Sequence, residues 1–121
     1  MLYLIARFLS MVRLKGLFYN KNMISVYILT NPSFPEIKIG FSGNVQQRLR
    51  IMNSSVPNRF NVHYSREFLD RDVAREVESE LHDKFRECRA SNGEFFRVDP
   101  ERAALELYHI SNDVKSQNNL S

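Results

Sequence analysis

Apolar and polar positions change period several times along the chain, and each change marks an element. Ile24–Thr30 alternates and is β-branched, which predicts a strand. Asn31-Pro-Ser-Phe-Pro35 then carries two prolines and predicts a turn. Glu36–Phe41 alternates again, so the two runs form a hairpin. Ser42-Gly-Asn44 ends it and offers a helix cap. Val45, Leu49 and Met52 set a helical stripe over residues 45–52. A polar loop through Pro57 leads to a third strand, Phe60–Phe68. Asp70 caps a long helix reaching about Cys88. After a loop ending at Gly93, residues 94–98 read as a short extended piece. Pro100 suits the first turn of a last helix ending near Ile110. The order β-β-α-β-α-(β)-α predicts an α+β domain: a small three-stranded antiparallel sheet flanked by helices.

This organisation sets residues 23–110 apart as one domain. Residues 111–121 are polar and read as a frayed tail. Residues 1–22 are apolar but interrupted by Arg7, Arg13 and Lys15. Those charges break up a membrane span, and their placement does not match a secretory leader. Two readings stay open for this stretch: a basic amphipathic helix, which would make a membrane-surface protein, or a false extension ahead of a true start at Met23. A membrane partner is not expected from the domain itself. The formal charge of +3 is compatible with a polyanionic partner without demanding one. Cys88 is the single cysteine, so neither an intrachain disulfide nor a cysteine metal cluster can form, as suits a reducing cytoplasm.

On a helical wheel the long helix has an apolar arc of Ala74, Val77, Leu81, Phe85 and Cys88. One flank holds Arg71, Arg75, Glu78, His82 and Arg89. The other holds Glu76, Glu80, Asp83 and Glu87. Glu78 borders the apolar arc with His82 one turn on. A plain surface helix with Glu-to-basic pairs accounts for such a face. The alternative is a half-buried carboxylate holding a divalent cation, with Arg and His residues around it for phosphate oxygens. Arg48 likewise borders the short helix's apolar stripe. There it requires a partner, either a Glu side chain or a phosphate.

Val26-Tyr27-Ile28, Lys38-Ile39-Gly40 and then Arg48 resemble the signature of the GIY-YIG nuclease superfamily. Glu78-Ser-Glu-Leu-His82 and Glu94-Phe-Phe96 are similar to a branch of it common in phages, bacteria and large DNA viruses. The resemblance covers about Val26 to Val98. It implies three antiparallel strands with flanking helices, as the periodicity does independently. It also implies a metal-dependent endonuclease that hydrolyses phosphodiester bonds with one Mg²⁺ or Mn²⁺.

Carried over by position, Tyr27 would bind or deprotonate the attacking water. Arg48 would offset charge on the phosphoryl oxygens, and Glu78 would hold the metal. His82 would assist proton transfer or contact phosphate. Lys38 stands where the wider superfamily has its second tyrosine, and would bind phosphate or activate water by charge. A cation such as Lys38, Arg48 or the metal would have to lower the Tyr27 pKa for it to serve as a base. Gly40 would admit a ligand to the backbone, or else mark a bulge. Glu94 would pair with Arg48 or His82. Arg71, Arg75 and Arg89 would touch the nucleic acid, with DNA favoured over RNA. Tyr64 and Arg66 are weaker contacts, and His63 and His109 read as structural. No small-molecule cofactor is expected, and the oligomeric state stays open. A catalytically inactive nucleic-acid-binding module of the same fold is the competing reading.

Overall fold

A computed structural model describes residues 23–90 and 93–120, with side chains described as far as Val114. Both readings of residues 1–22 lie outside the described residues. The described elements are β1 (Ile24–Thr30), β2 (Ile37–Ser42), α1 (Val45–Asn53), β3 (Asn61–Phe68), α2 (Arg71–Lys84), β4 (Phe95–Phe96) and α3 (Pro100–Leu120). The strands form one antiparallel sheet in the order β3-β1-β2-β4. The α+β class is as expected, but the sheet has four strands where three were expected. The extra one is the pair Phe95-Phe96, opposite Lys38 and Ile37. Two residues are too few to display an alternation, so periodicity alone reads them only as extended.

Alternation sorts the strand side chains onto two faces. Val26, Ile28, Ile37, Ile39, Tyr64, Phe68 and Phe96 join Ala74, Val77, Leu81 and Phe85 of α2 and Ala103, Ala104 and Leu107 of α3 in the larger core. Tyr27, Leu29 and Phe60 form a smaller core with Val45, Leu49 and Met52 of α1. Val62 and Tyr64, two residues apart, nevertheless pack on opposite faces. The reason is a bulge: Leu29 pairs with Val62 and Ile28 with Tyr64, so His63 is the extra residue. His63 Nε2 lies 2.8 Å from a Glu101 carboxylate oxygen, consistent with its structural reading.

The helix ends follow from local chemistry. Asp70 caps α2 by accepting the N–H groups of Asp72 and Val73 at 2.8 and 3.4 Å. Asp70→Ala is therefore expected to cost about 1 kcal/mol in denaturant unfolding. An unchanged midpoint would mean that the cap contributes nothing.

Helix α2 stops at Lys84, earlier than the expected Cys88, and a 3-10 turn covers Arg86–Cys88. That tighter turn frees the chain to bridge Arg89 to Phe96, which a continuing helix would prevent. Helix α3 runs past the expected end at Ile110 to Leu120. No glycine or proline interrupts this segment. Its first polar residues are used by the fold: the buried Ser111 hydroxyl donates to the Leu107 carbonyl, and Asn112 accepts from Arg66. Among the described residues no helix is long and apolar enough to cross a membrane.

Candidate active site

Strand β4 covers only the first two residues of β2. Beyond it, the Ile39 N–H donates to the Glu94 carbonyl at 3.0 Å. The Gly40 end of β2 therefore forms an edge beside α2, and the candidate residues collect around that edge.

Tyr27 and Gly40 are direct partners in the β1–β2 ladder. A Cβ built on Gly40 would stand 2.7 Å from the Tyr27 hydroxyl oxygen and 2.9 Å from its Cζ. Gly40 is thus not a bulge; it is the slot in which the tyrosine ring lies. The bulge in this sheet sits at His63 instead. Tyr27 is 1 % exposed, and its pKa is pushed up to about 12. Burial is the main cause, and the negative charge of Glu94 adds to it. Arg48 pulls the other way but does not win, and Glu78 raises the value further. The expected lowering by neighbouring cations is therefore outweighed in the protein alone.

Glu78 is buried on α2, 9 % exposed, as its place beside the apolar arc implied. Its Oε2 has no hydrogen-bond partner. Burial pushes its pKa up to about 7, with a further rise from Glu94; Lys38 and Arg75 oppose it. A buried carboxylate oxygen without a donor is a place where a cation fits, since an uncompensated anion there is costly. Among the described residues no three His, Cys, Asp or Glu side chains cluster as a ready ligand set. A divalent ion would accordingly rest on Glu78 and complete its shell with water and substrate oxygens, as Mg²⁺ commonly does.

Glu94 pairs with Lys38 at 2.7 Å, not with Arg48 or His82 as expected. Glu94 stands in the turn just before β4, where its carbonyl takes the Ile39 N–H, and from there its side chain reaches Lys38. The Lys38 ammonium also lies 5.1 Å from the centre of the Phe95 ring. His82 turns inward. Its Nε2 is 2.9 Å from the Ile39 carbonyl oxygen, and its ring packs against Phe96. A carbonyl only accepts, so Nε2 carries the hydrogen and is committed to the backbone next to Gly40. This fits a positioning residue better than the expected proton carrier.

Arg48 is exposed on α1, without an ion-pair partner among the described residues, so the expected Glu partner is absent. Arg71 lies over Phe41 at 5.3 Å. Arg75 is 3.9 Å from Asp72 and close enough to Glu78 to lower its pKa. Arg89 leaves the helical flank with the 3-10 turn; it bonds the Gly93 carbonyl and covers Phe96. Arg66 also turns away, toward Asn112 and Tyr108.

A charge asymmetry runs across several elements and is not visible on one helix. No Asp or Glu stands between Ile37 and Arg66, while Lys38, Arg48, Arg50 and Arg59 do. On the α1 side these four positive charges outnumber the carboxylates of Glu94, beside Lys38, and Glu67, which the register sets opposite Ser25. The outer surface of α2 instead exposes Asp72, Glu76, Glu80 and Asp83. The sequence signal was a run from which acidic residues are missing.

Comparison with curated proteins returned no match, and neither did comparison with solved structures. The profile described as the T5orf172 domain matches residues 24–110, from the first residue of β1 into α3 and across every candidate residue named above. The chain thus belongs to the T5orf172 domain family, a family related to GIY-YIG/HNH-type nuclease-like modules.

Proposed function

We propose that the chain is a metal-dependent endonuclease that hydrolyses phosphodiester bonds in nucleic acid, DNA in preference to RNA. The observation that carries this reading is the unpartnered, buried Oε2 of Glu78 beside the Tyr27–Gly40 pair and Lys38. Glu78 would hold one Mg²⁺ or Mn²⁺, which when bound supplies positive charge to offset the charge gathering on the phosphate.

The chain's own groups do the rest. Arg48 is free to take phosphoryl oxygens from the α1 side. Tyr27 is protonated at neutral pH in the protein alone, so its hydroxyl enters as a hydrogen-bonding group that orients the attacking water over Gly40. It accepts a proton only when positive charge brought to the site outweighs its burial. Lys38 exchanges Glu94 for a phosphate oxygen, and His82 holds the Ile39 carbonyl and with it the Gly40 backbone.

A second reading, a module that binds nucleic acid without cutting it, draws on the same Tyr27 shift and on the Lys38–Glu94 pair that occupies the lysine. Supercoiled plasmid incubated with Mg²⁺ or Mn²⁺ separates the two. The wild type is expected to nick or linearise it. Arg48→Ala is expected to lower the rate by about 10²-fold or more. Salt-sensitive binding with no cleavage under either metal would leave the non-cutting module.

A further inference from the structure

Phe34 is a large apolar side chain left 44 % exposed, yet the structure takes trouble to fix it. Pro32 and Pro35 flank it. Its N–H closes a turn onto the Asn31 carbonyl at 3.0 Å. Asn31 is itself buried; it accepts the Ser33 N–H and donates to the Asn58 carbonyl, both at 2.8 Å. Asn58 in turn donates to the Ser33 hydroxyl. An exposed aromatic ring with a restrained backbone loses little further freedom when a ligand packs on it.

The ring also belongs to a row. Phe34 stacks on Phe60 with centroids 5.8 Å apart and planes 14° from parallel. Phe60 is clamped by Asn53, which accepts its N–H at 2.7 Å and donates to its carbonyl. Phe60 meets Phe95 at 6.3 Å, and Phe95 lies beneath the Lys38 ammonium. The row therefore starts at an open ring and ends at the candidate active site. It lies on the basic side of the sheet, where Arg48, Arg50 and Arg59 are exposed without ion-pair partners among the described residues.

We infer that Phe34 is a stacking platform for an unpaired base of a nucleic-acid strand, whose backbone crosses the basic α1 side to the edge at Gly40. An open aromatic face beside unpaired arginines is the pairing that single strands recognise: stacking for the base and charge for the backbone. A base locked inside a duplex has no free face to offer. The inference thus names single-stranded, frayed or branched segments as the bound class. It rests on nucleic acid being the ligand of the proposed function, but not on cleavage.

The chain has no tryptophan, so Phe34→Trp introduces a unique reporter at the platform. The full chain carrying it would be titrated, in EDTA to prevent cutting, with a thymidine oligomer of about a dozen nucleotides, long enough to span one such site. Binding would be followed independently by anisotropy of a label on the oligomer. The expected result is quenching of the tryptophan emission in step with anisotropy. Phe34→Ala and the bulk-preserving Phe34→Leu are each expected to weaken single-strand binding about tenfold or more, while Phe34→Tyr stays near wild type. Duplex binding should change little in all of them. Saturation of the oligomer without quenching, or unchanged binding by Phe34→Leu, would overturn the platform and leave the nuclease reading intact. Failure of the wild type to bind the single strand would also overturn it, with plasmid cleavage judged separately. Quenching in a chain that cuts nothing would sustain the platform and refute the nuclease.

Discussion

Replacing Glu78 by glutamine is expected to stabilise the protein above pH 7 while abolishing cleavage. The carboxyl's pKa is raised in the folded state, from an ordinary 4.5 to about 7. The folded protein therefore holds this proton more tightly than the unfolded chain does. Its contribution to stability is fully present below about pH 4.5 and is lost as pH rises through about 7. Glutamine keeps the shape but never ionises, so the loss disappears. Converting the shift at 1.36 kcal/mol per unit and allowing for solvent screening near the surface leaves about 1–2 kcal/mol at pH 8. For a domain of this size that is a rise of several degrees in Tm. At pH 4.5 the two proteins should melt together.

A structural carboxylate paired on the surface would behave in the opposite way, because its removal costs stability at high pH. The same melts with added Mg²⁺ or Mn²⁺ provide a second readout. An ion held by Glu78 stabilises the wild type by mass action and leaves the glutamine variant unmoved. Lower stability of Glu78→Gln at pH 8, together with an equal metal response in both proteins, would remove Glu78 from the site.

Glu78 was legible in the sequence because its carboxylate and its place at the apolar border are both local to one helix. The wheel places it at the apolar border, and its burial follows. The strands were legible for the same reason, since β1, β2 and most of β3 alternate regularly. What local periodicity does not carry is pairing. The bulge at His63 sends Val62 and Tyr64 to opposite faces, and only the register with β1 reveals it. Likewise β4 exists because Phe95-Phe96 meets β2, and that meeting brings the turn before it to the β2 edge, where Glu94 finds Lys38 and not Arg48. His82 has the right spacing for a chemical partner of Glu78, but the β2 carbonyl it bonds belongs to another part of the chain. Arg89 was misplaced by assuming that a helix continues where tertiary bridging ends it. Residue types at the site were thus readable, while the partners that set their chemistry came from strand register.

Gly40→Ala tests that register where it bears most directly on the chemistry. One methyl group added there meets the Tyr27 hydroxyl at 2.7 Å and its Cζ at 2.9 Å, closer than carbon atoms normally approach. Gly40 is buried and Tyr27 is held in the small core with Leu29 and Phe60, so the ring has little space in which to retreat. Forcing a methylene-sized group into such packing costs about 1–3 kcal/mol. The cleavage rate should fall further than stability does. A hydroxyl moved by about 1 Å from the atom it orients can cost about 10²-fold in rate. Part of the strain arises at the hydroxyl, the nearest atom, so the Tyr27→Phe background should recover some of the lost stability but none of the activity. The double-mutant cycle would then show coupling between the two positions, as residues in contact do. Independent, additive losses would mean that the ring does not lie in the Gly40 slot. An alanine variant with wild-type cleavage would show that the tyrosine hydroxyl takes no part in the reaction, and would leave Arg48, Lys38 and Glu78 to account for it without a group that orients the water.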